Sequence, residues 1–191
     1  TWQTSGEYAL ENGFLLLAGG VQRLGDGDGG AADAAPGTGV GVLLSPMAVA
    51  AWGGADQWIR TYGTRVVAVR LSVELGRRHP LRLFLVSAYA PVDGAPQQER
   101  VEYLEHLQAC VGDCRSAEML VVGTDANARL GVASDGVGAG TVGNFGVSAA
   151  RESLARRRSA QLVRSFLARN ALCSAATFYE RSPSDTTGYW T

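Results

Sequence analysis

An apolar run, 118–122, leads straight into Gly123-Thr124-Asp125-Ala126-Asn127-Ala128-Arg129. If that run is a strand, Asp125 and Asn127 stand at its carboxyl end, where open α/β sheets bind ligands. A carboxylate there can hold a metal or move a proton, and an amide can donate to a phosphoryl oxygen. A second apolar run, 82–89, ends in Ser87-Ala88-Tyr89-Ala90-Pro91. It offers a phenol that can hydrogen-bond a phosphate oxygen. Each motif alone also has a plainer reading. Asp and Asn are common wherever a strand ends, and a buried Tyr often caps a core.

Other chemistries are excluded by residue type. All 17 basic residues are Arg, so a Walker A loop, a Schiff base and a lysine general base are absent. The three cysteines are too few for a disulfide scaffold, and with two histidines they complete no zinc pattern. Asp26 and Asp28 do not open a calcium loop, because Gly37 stands where the closing Glu belongs. The glycines at 37, 39 and 41 lie within an apolar run rather than after it, unlike a nucleotide-binding loop.

The elements that must position these residues follow from periodicity. Residues 14–18 and 39–44 read as strands, and 22–38, rich in Gly, Asp and Ala, as a mobile loop. Residues 65–73 place Val67, Val69, Leu71 and Val73 on one face at period two. The connection from there to 82–89 is too short for a crossover helix, so these strands pair antiparallel. A helix starts at Pro96, with Glu99 and Glu102 near its positive end and an apolar stripe of Val101, Leu104, Leu107 and Val111. It connects 82–89 to 118–122 as a parallel crossover. After a Gly-rich loop over 131–147, a second helix is expected from Ser148, its N-cap, to Asn170. Ala155, Ser159, Leu162, Val163, Phe166 and Leu167 share one of its faces, and Arg157, Arg158, Arg164 and Arg169 fall off it. Short extended pieces near 172–178 and 188–191 follow. Cys173 is expected to be a buried packing residue, His106 to lie on a wet helix face, and His79 to lie in a turn a strand's length from Tyr89. The fold class is α/β, with mixed sheets and outer helices.

Apolar residues make up 46% of the 191 and charged residues 18%, enough for one domain with a substantial core. The net charge of -1 excludes a globally basic nucleic-acid clamp. Charge is uneven, however: 151–191 carry seven Arg against three acids, a local net of +4 that suits an anionic partner. Within it, Arg156, Arg157 and Arg158 could track a DNA backbone, although a solvated helix face is the favoured reading. No apolar run approaches a membrane span, and the cysteine usage suits a reduced intracellular compartment, the nucleus among the options.

Taken in order, the motifs resemble those of the endonuclease/exonuclease/phosphatase family. Within it, the chain is most similar to the apurinic-type endonuclease domain of non-LTR retroelements and to the craniofacial-development-protein-2-like sequences derived from them. The family's Y-x-P is matched by Tyr89-Ala90-Pro91. Its G-D-x-N-A is matched by 123–128, with Thr124 inserted between Gly and Asp. Its glycine-containing loop is matched by GNFG at 143–146. Leu162, Phe166, Asn170 and Leu172 match a helix motif, and TTGYWT at 186–191 matches a Thr/Trp strand. The opening Thr-Trp fits the stretch that follows a catalytic Glu-Thr. The resemblance covers nearly the whole chain.

What the resemblance implies is a two-sheet α/β sandwich and divalent-metal-dependent phosphodiester hydrolysis, with Mg²⁺ or Mn²⁺ as cofactor and DNA, nicked in one strand, as substrate. Tyr89 would contact the phosphate. Asp125 would orient the attacking water or protonate the leaving oxygen, and Asn127 would hold a non-bridging oxygen. The metal-binding Glu would lie before Thr1 and the closing Asp and Asp-His residues after Thr191. The chain therefore reads as a single domain truncated at both ends, inactive by itself, with fusion to a reverse transcriptase as one setting. Free sheet edges invite self-association. A phosphatase or sphingomyelinase-like hydrolase on the same fold, and a degenerate non-catalytic domain, are the alternatives.

Overall fold

The structure is a computed structural model that describes residues 6–19, 39–76, 79–92, 94–133, 140–145 and 154–180. Its chain divides into two compact units, Thr1–Ala126 and Asn127–Thr191.

In the first unit, Gly6–Ala9 (β1), Leu15–Gly19 (β2) and Val40–Leu44 (β3) form a three-stranded sheet whose two pairings are antiparallel. Ile59–Tyr62 (β4), Val66–Val73 (β5), Leu81–Tyr89 (β6) and Met119–Asp125 (β7) form a four-stranded sheet in that order. β4, β5 and β6 pair antiparallel, while β6 and β7 pair parallel. The connection from β6 to β7 runs through the helix Gln97–Gly112 (α2). The architecture is the expected α/β sandwich of two sheets with helices. It is incomplete as described, because β7 has no partner on its outer edge among the described residues.

The interior lies between the sheets. Val69 and Leu71 of β5, with Leu83 and Leu85 of β6, pack against Leu17 and Leu44 of the first sheet. Pro46–Gly53 (α1) adds Ala51 and Trp52 to this core. Gly19 is needed for the close approach: a Cβ there would lie 2.6 Å from Thr61 Cγ2 and 3.2 Å from Val67 Cβ. The other face of β5 and β6 is buried as well, through Val66, Ala68, Phe84, Val86 and Ala88. β5 is thus a middle-layer strand covered on both sides, which its one-sided alternation did not reveal. α2 provides the second cover.

The buried side of α2 carries Tyr103, Leu107 and Cys110 rather than the full expected stripe. Leu107 is shared, but Val101, Leu104 and Val111 are only half-buried. The rotation has a physical cause. Tyr103 reaches Thr124 Oγ1 at 3.2 Å, and His106 lies so close to Gly63 that a Cβ there would clash with its ring. His106 is therefore half-buried against the β4–β5 turn, not on a wet face. α1, capped by Ser45 accepting from the Ala48 amide at 3.4 Å, was not expected from the sequence. Its PMAVAAWG has no polar face for periodicity to detect.

In the second unit, Leu154–Arg169 (α3) lies within the expected 148–170, whose first residues fall outside those described. Its buried residues include Ser159, Ala160, Phe166 and Arg164. Arg164, expected to point away, thus belongs to the packed face. After α3, Ala171 takes a left-handed φ of 52° and the chain forms a 3-10 turn, Ala175–Thr177, where an extended piece was expected. Thr177 anchors a loop: its Oγ1 accepts from Gly143 N at 2.7 Å and its carbonyl from Phe145 N at 2.9 Å. The 22–38 loop, Asp26 and Asp28, the Ser148 cap, the opening Thr-Trp and the 186–191 motif lie outside the described residues. Among those described, no helix is long and apolar enough to cross a membrane.

Cys173 is exposed, which corrects the expectation that it packs inside. It follows the end of α3, where the chain no longer turns its apolar residues one way. Cys110, by contrast, is fully buried in α2, and burial, with the nearby Asp113 carboxylate, pushes its thiol up to about 12. Iodoacetamide at pH 8 should therefore modify Cys173 in the folded chain and reach Cys110 only after denaturant is added. Mass-spectrometric mapping of the alkylated sites checks this. Equal modification of both in the native protein would contradict the packing of α2.

Candidate functional site

Two of the three expected residues are brought together by strand register. Tyr89, the last residue of β6, stands opposite Asp125, the last residue of β7, in the parallel pairing. Parallel strands end at the same edge, so a phenol and a carboxylate from separate motifs become neighbours there. By alternation they lie on the face that carries Leu83 and Leu85, the face turned to the first sheet. Backbone hydrogen bonds continue the pairing past the strand ends. Tyr89 N donates to Arg65 O at 3.0 Å, and Ala90 N donates to Asp125 O at 2.9 Å. Asp125 is exposed and Tyr89 half-buried, so both are open to a ligand.

The extra Thr124 does not displace Asp125. β7 continues through Asp125 instead of ending near Val122, and alternation sends Thr124 to the α2 side. There its hydroxyl meets the Tyr103 hydroxyl. Burial holds the Tyr103 phenol above its ordinary value, and the Asp125 charge adds to this, against the opposing effects of the Thr124 hydrogen bond and Arg65. Tyr103 is thus a neutral phenol near pH 7, fixing Thr124 on one face while Asp125 takes the other.

Asn127, the third expected residue, opens the second unit with a φ of 44°. That left-handed conformation is one Asn tolerates better than most side chains. Arg157 and Arg158 are exposed on α3, and the side chain of Arg156 lies outside those described. His79 is exposed in the β5–β6 turn, at the far end of β6 from Tyr89.

Sequence reasoning missed Arg65 and Glu99. Arg65 Nη2 donates to Glu99 Oε1 at 2.6 Å, and its guanidinium lies 5.6 Å from the centroid of the Tyr89 ring, within cation–π range. Glu99 carried a visible signal as an acid in the first turn of a helix, but that signal speaks only of the helix. Arg65 was placed beside Tyr89 by the expected antiparallel pairing of 65–73 with 82–89, but nothing in spacing tells that its side chain meets Glu99.

The described residues do not amount to a metal site. Among them no three His, Cys, Asp or Glu side chains cluster in a way that could hold an ion. Asp125 supplies one carboxylate at this edge, and Glu99 is paired with Arg65. Mg²⁺ prefers near-octahedral oxygen coordination, which one carboxylate does not complete. A cavity of about 200 Å³ does exist elsewhere, lined by Trp58, Arg70, Ser72, Arg82 and Glu118 among others. It includes residues at the opposite ends of β5 and β6 from Tyr89, and Arg70 and Glu118 in it are bound to each other, so it is a poor rival for the chemistry.

Comparison of the chain with protein-family models, with curated proteins and with solved structures finds no match, so the resemblance rests on the residues quoted for it.

Proposed function

We propose that this domain hydrolyses phosphodiester bonds in DNA as the nicking endonuclease of a retroelement-derived protein. One observation supports the reading above the others: the register that sets Tyr89 beside Asp125 at the ends of two parallel strands. The Tyr89 hydroxyl donates to a non-bridging phosphate oxygen. Asp125 orients the attacking water and takes its proton, or returns one to the leaving sugar oxygen, as a new P–O bond forms to water and the opposite P–O bond breaks. Asn127, in the role the resemblance gives it, donates its amide to a second non-bridging oxygen. Metal dependence belongs to the proposal as what the resemblance implies, not through the described residues.

The test is nicking of supercoiled plasmid by the chain extended with the Glu, Asp and Asp-His segments that the resemblance implies. It should convert plasmid to open circle with Mg²⁺ or Mn²⁺ and not with EDTA. Turnover of a phosphomonoester or sphingomyelin without nicking would favour the phosphatase or lipase-like alternative. DNA binding with no turnover by the extended chain would favour a non-catalytic domain.

A further inference from the structure

We propose that Arg65 is a phosphate-binding residue of this site, held by Glu99 until a DNA backbone phosphate takes its place. The inference rests on the reading of the domain as a DNA phosphodiesterase. Arg65 immediately precedes β5, and its carbonyl accepts the Tyr89 amide, so its Cα is fixed across from Tyr89, just as Asp125 is fixed on the other side. Three neighbouring chain positions thus present a guanidinium, a phenol and a carboxylate in one row. A substrate phosphate that meets the Tyr89 hydroxyl lies next to the only one of the three that carries positive charge.

The side chain is built for that exchange. A guanidinium offers five donors in a planar fork that fits a phosphate as well as a carboxylate. Glu99 Oε1 engages Nη2, and Glu99 itself is partly exposed, its side chain at 38% against 18% for Arg65. The acid can therefore swing into water while the arginine stays in place beside the Tyr89 ring. In the resting site the pair is neutral, which avoids a half-buried bare cation. When Glu99 releases it, Arg65 adds one positive charge next to Asp125, lowering the repulsion between that carboxylate and an incoming phosphate. With no Lys in the chain, every fixed side-chain cation available for this purpose is an arginine.

The test measures binding of the full chain to a fluorescein-labelled duplex oligonucleotide in EDTA, by anisotropy over about 50 to 200 mM salt. Arg65→Gln should weaken binding about tenfold and reduce the magnitude of the log K against log salt slope by about one, the value of one lost phosphate contact. Arg65→Lys should keep the slope. Glu99→Gln should tighten binding, because it removes the competing carboxylate, and Arg65→Gln/Glu99→Gln should behave as Arg65→Gln alone. If the pair only ties β5 to α2, both single substitutions weaken binding together and leave the slope unchanged, which overturns the inference. An unsubstituted chain that binds normally while Arg65→Gln does too overturns it and spares the DNA reading. An unsubstituted chain with no salt-dependent binding overturns both.

Discussion

Asp125→Ala in the chain extended with the Glu, Asp and Asp-His segments that the resemblance implies is expected to lower the rate of plasmid nicking by about two orders of magnitude or more, the scale for losing a positioned proton-transfer group. The expectation follows from register. Thr124 stands where the family motif has no residue, and a one-residue slip in a strand sends every following side chain to the other face. Here β7 absorbs Thr124 on the α2 side, through Tyr103, and Asp125 emerges opposite Tyr89. Asp125→Asn should be almost as damaging, since the amide keeps the shape and loses the basicity. Tyr89→Phe should cost less, because it removes one hydrogen bond to a phosphate oxygen and leaves the ring under Arg65. Nicking by Asp125→Ala at the unsubstituted rate would move the proton-transfer role to another residue and remove the main support for the proposed function.

Much of the positioning was legible because it depends on local rules. The short connection between 65–73 and 82–89 demanded an antiparallel pair, and a helix between 82–89 and 118–122 allowed a parallel one. Those two statements are enough to bring the ends of β6 and β7 to one edge. What stayed hidden depends on contacts between distant segments. Glu99 reads as an ordinary first-turn acid until Arg65, from before β5, reaches it. α2 was read with its stripe rotated, because Tyr103 and His106 look like surface residues until Thr124 and Gly63 arrive beside them. Arg164 and Cys173 exchanged their expected environments: Arg164 is packed within α3, and Cys173 is exposed beyond its end, where periodicity has no helix left to count.

The same limit explains the largest stability effect expected of the fold. Arg70 in RVVAVRLSV falls between the valines and would be assigned to solvent by alternation alone. Instead its side chain is 9% exposed and its partner Glu118 4% exposed, with Arg70 Nε donating to Glu118 Oε1 at 2.8 Å. Nη2 donates to the carbonyl of Asp113, the C-cap of α2, at 2.7 Å, placing a cation at the negative end of that helix. The guanidinium also lies 3.8 Å from the centroid of the Trp58 ring and 5.0 Å from that of Phe84. One side chain therefore joins β5, α2, the segment before β4, β6 and the turn before β7. Arg70→Leu should cost about 3–5 kcal/mol, because it leaves the Glu118 carboxylate buried and unpaired and the Asp113 carbonyl without its donor. Glu118→Leu alone should cost a similar amount by stranding the guanidinium. Arg70→Leu/Glu118→Leu should lose clearly less than the sum, since removing both charges removes the desolvation penalty as well. Urea unfolding of residues 1–191 followed by tryptophan fluorescence checks all three, with Trp58 reporting directly on the site. A cost for Arg70→Leu below about 1 kcal/mol, the scale of an exposed ion pair, would mean that water reaches Glu118 and that the network is a surface feature.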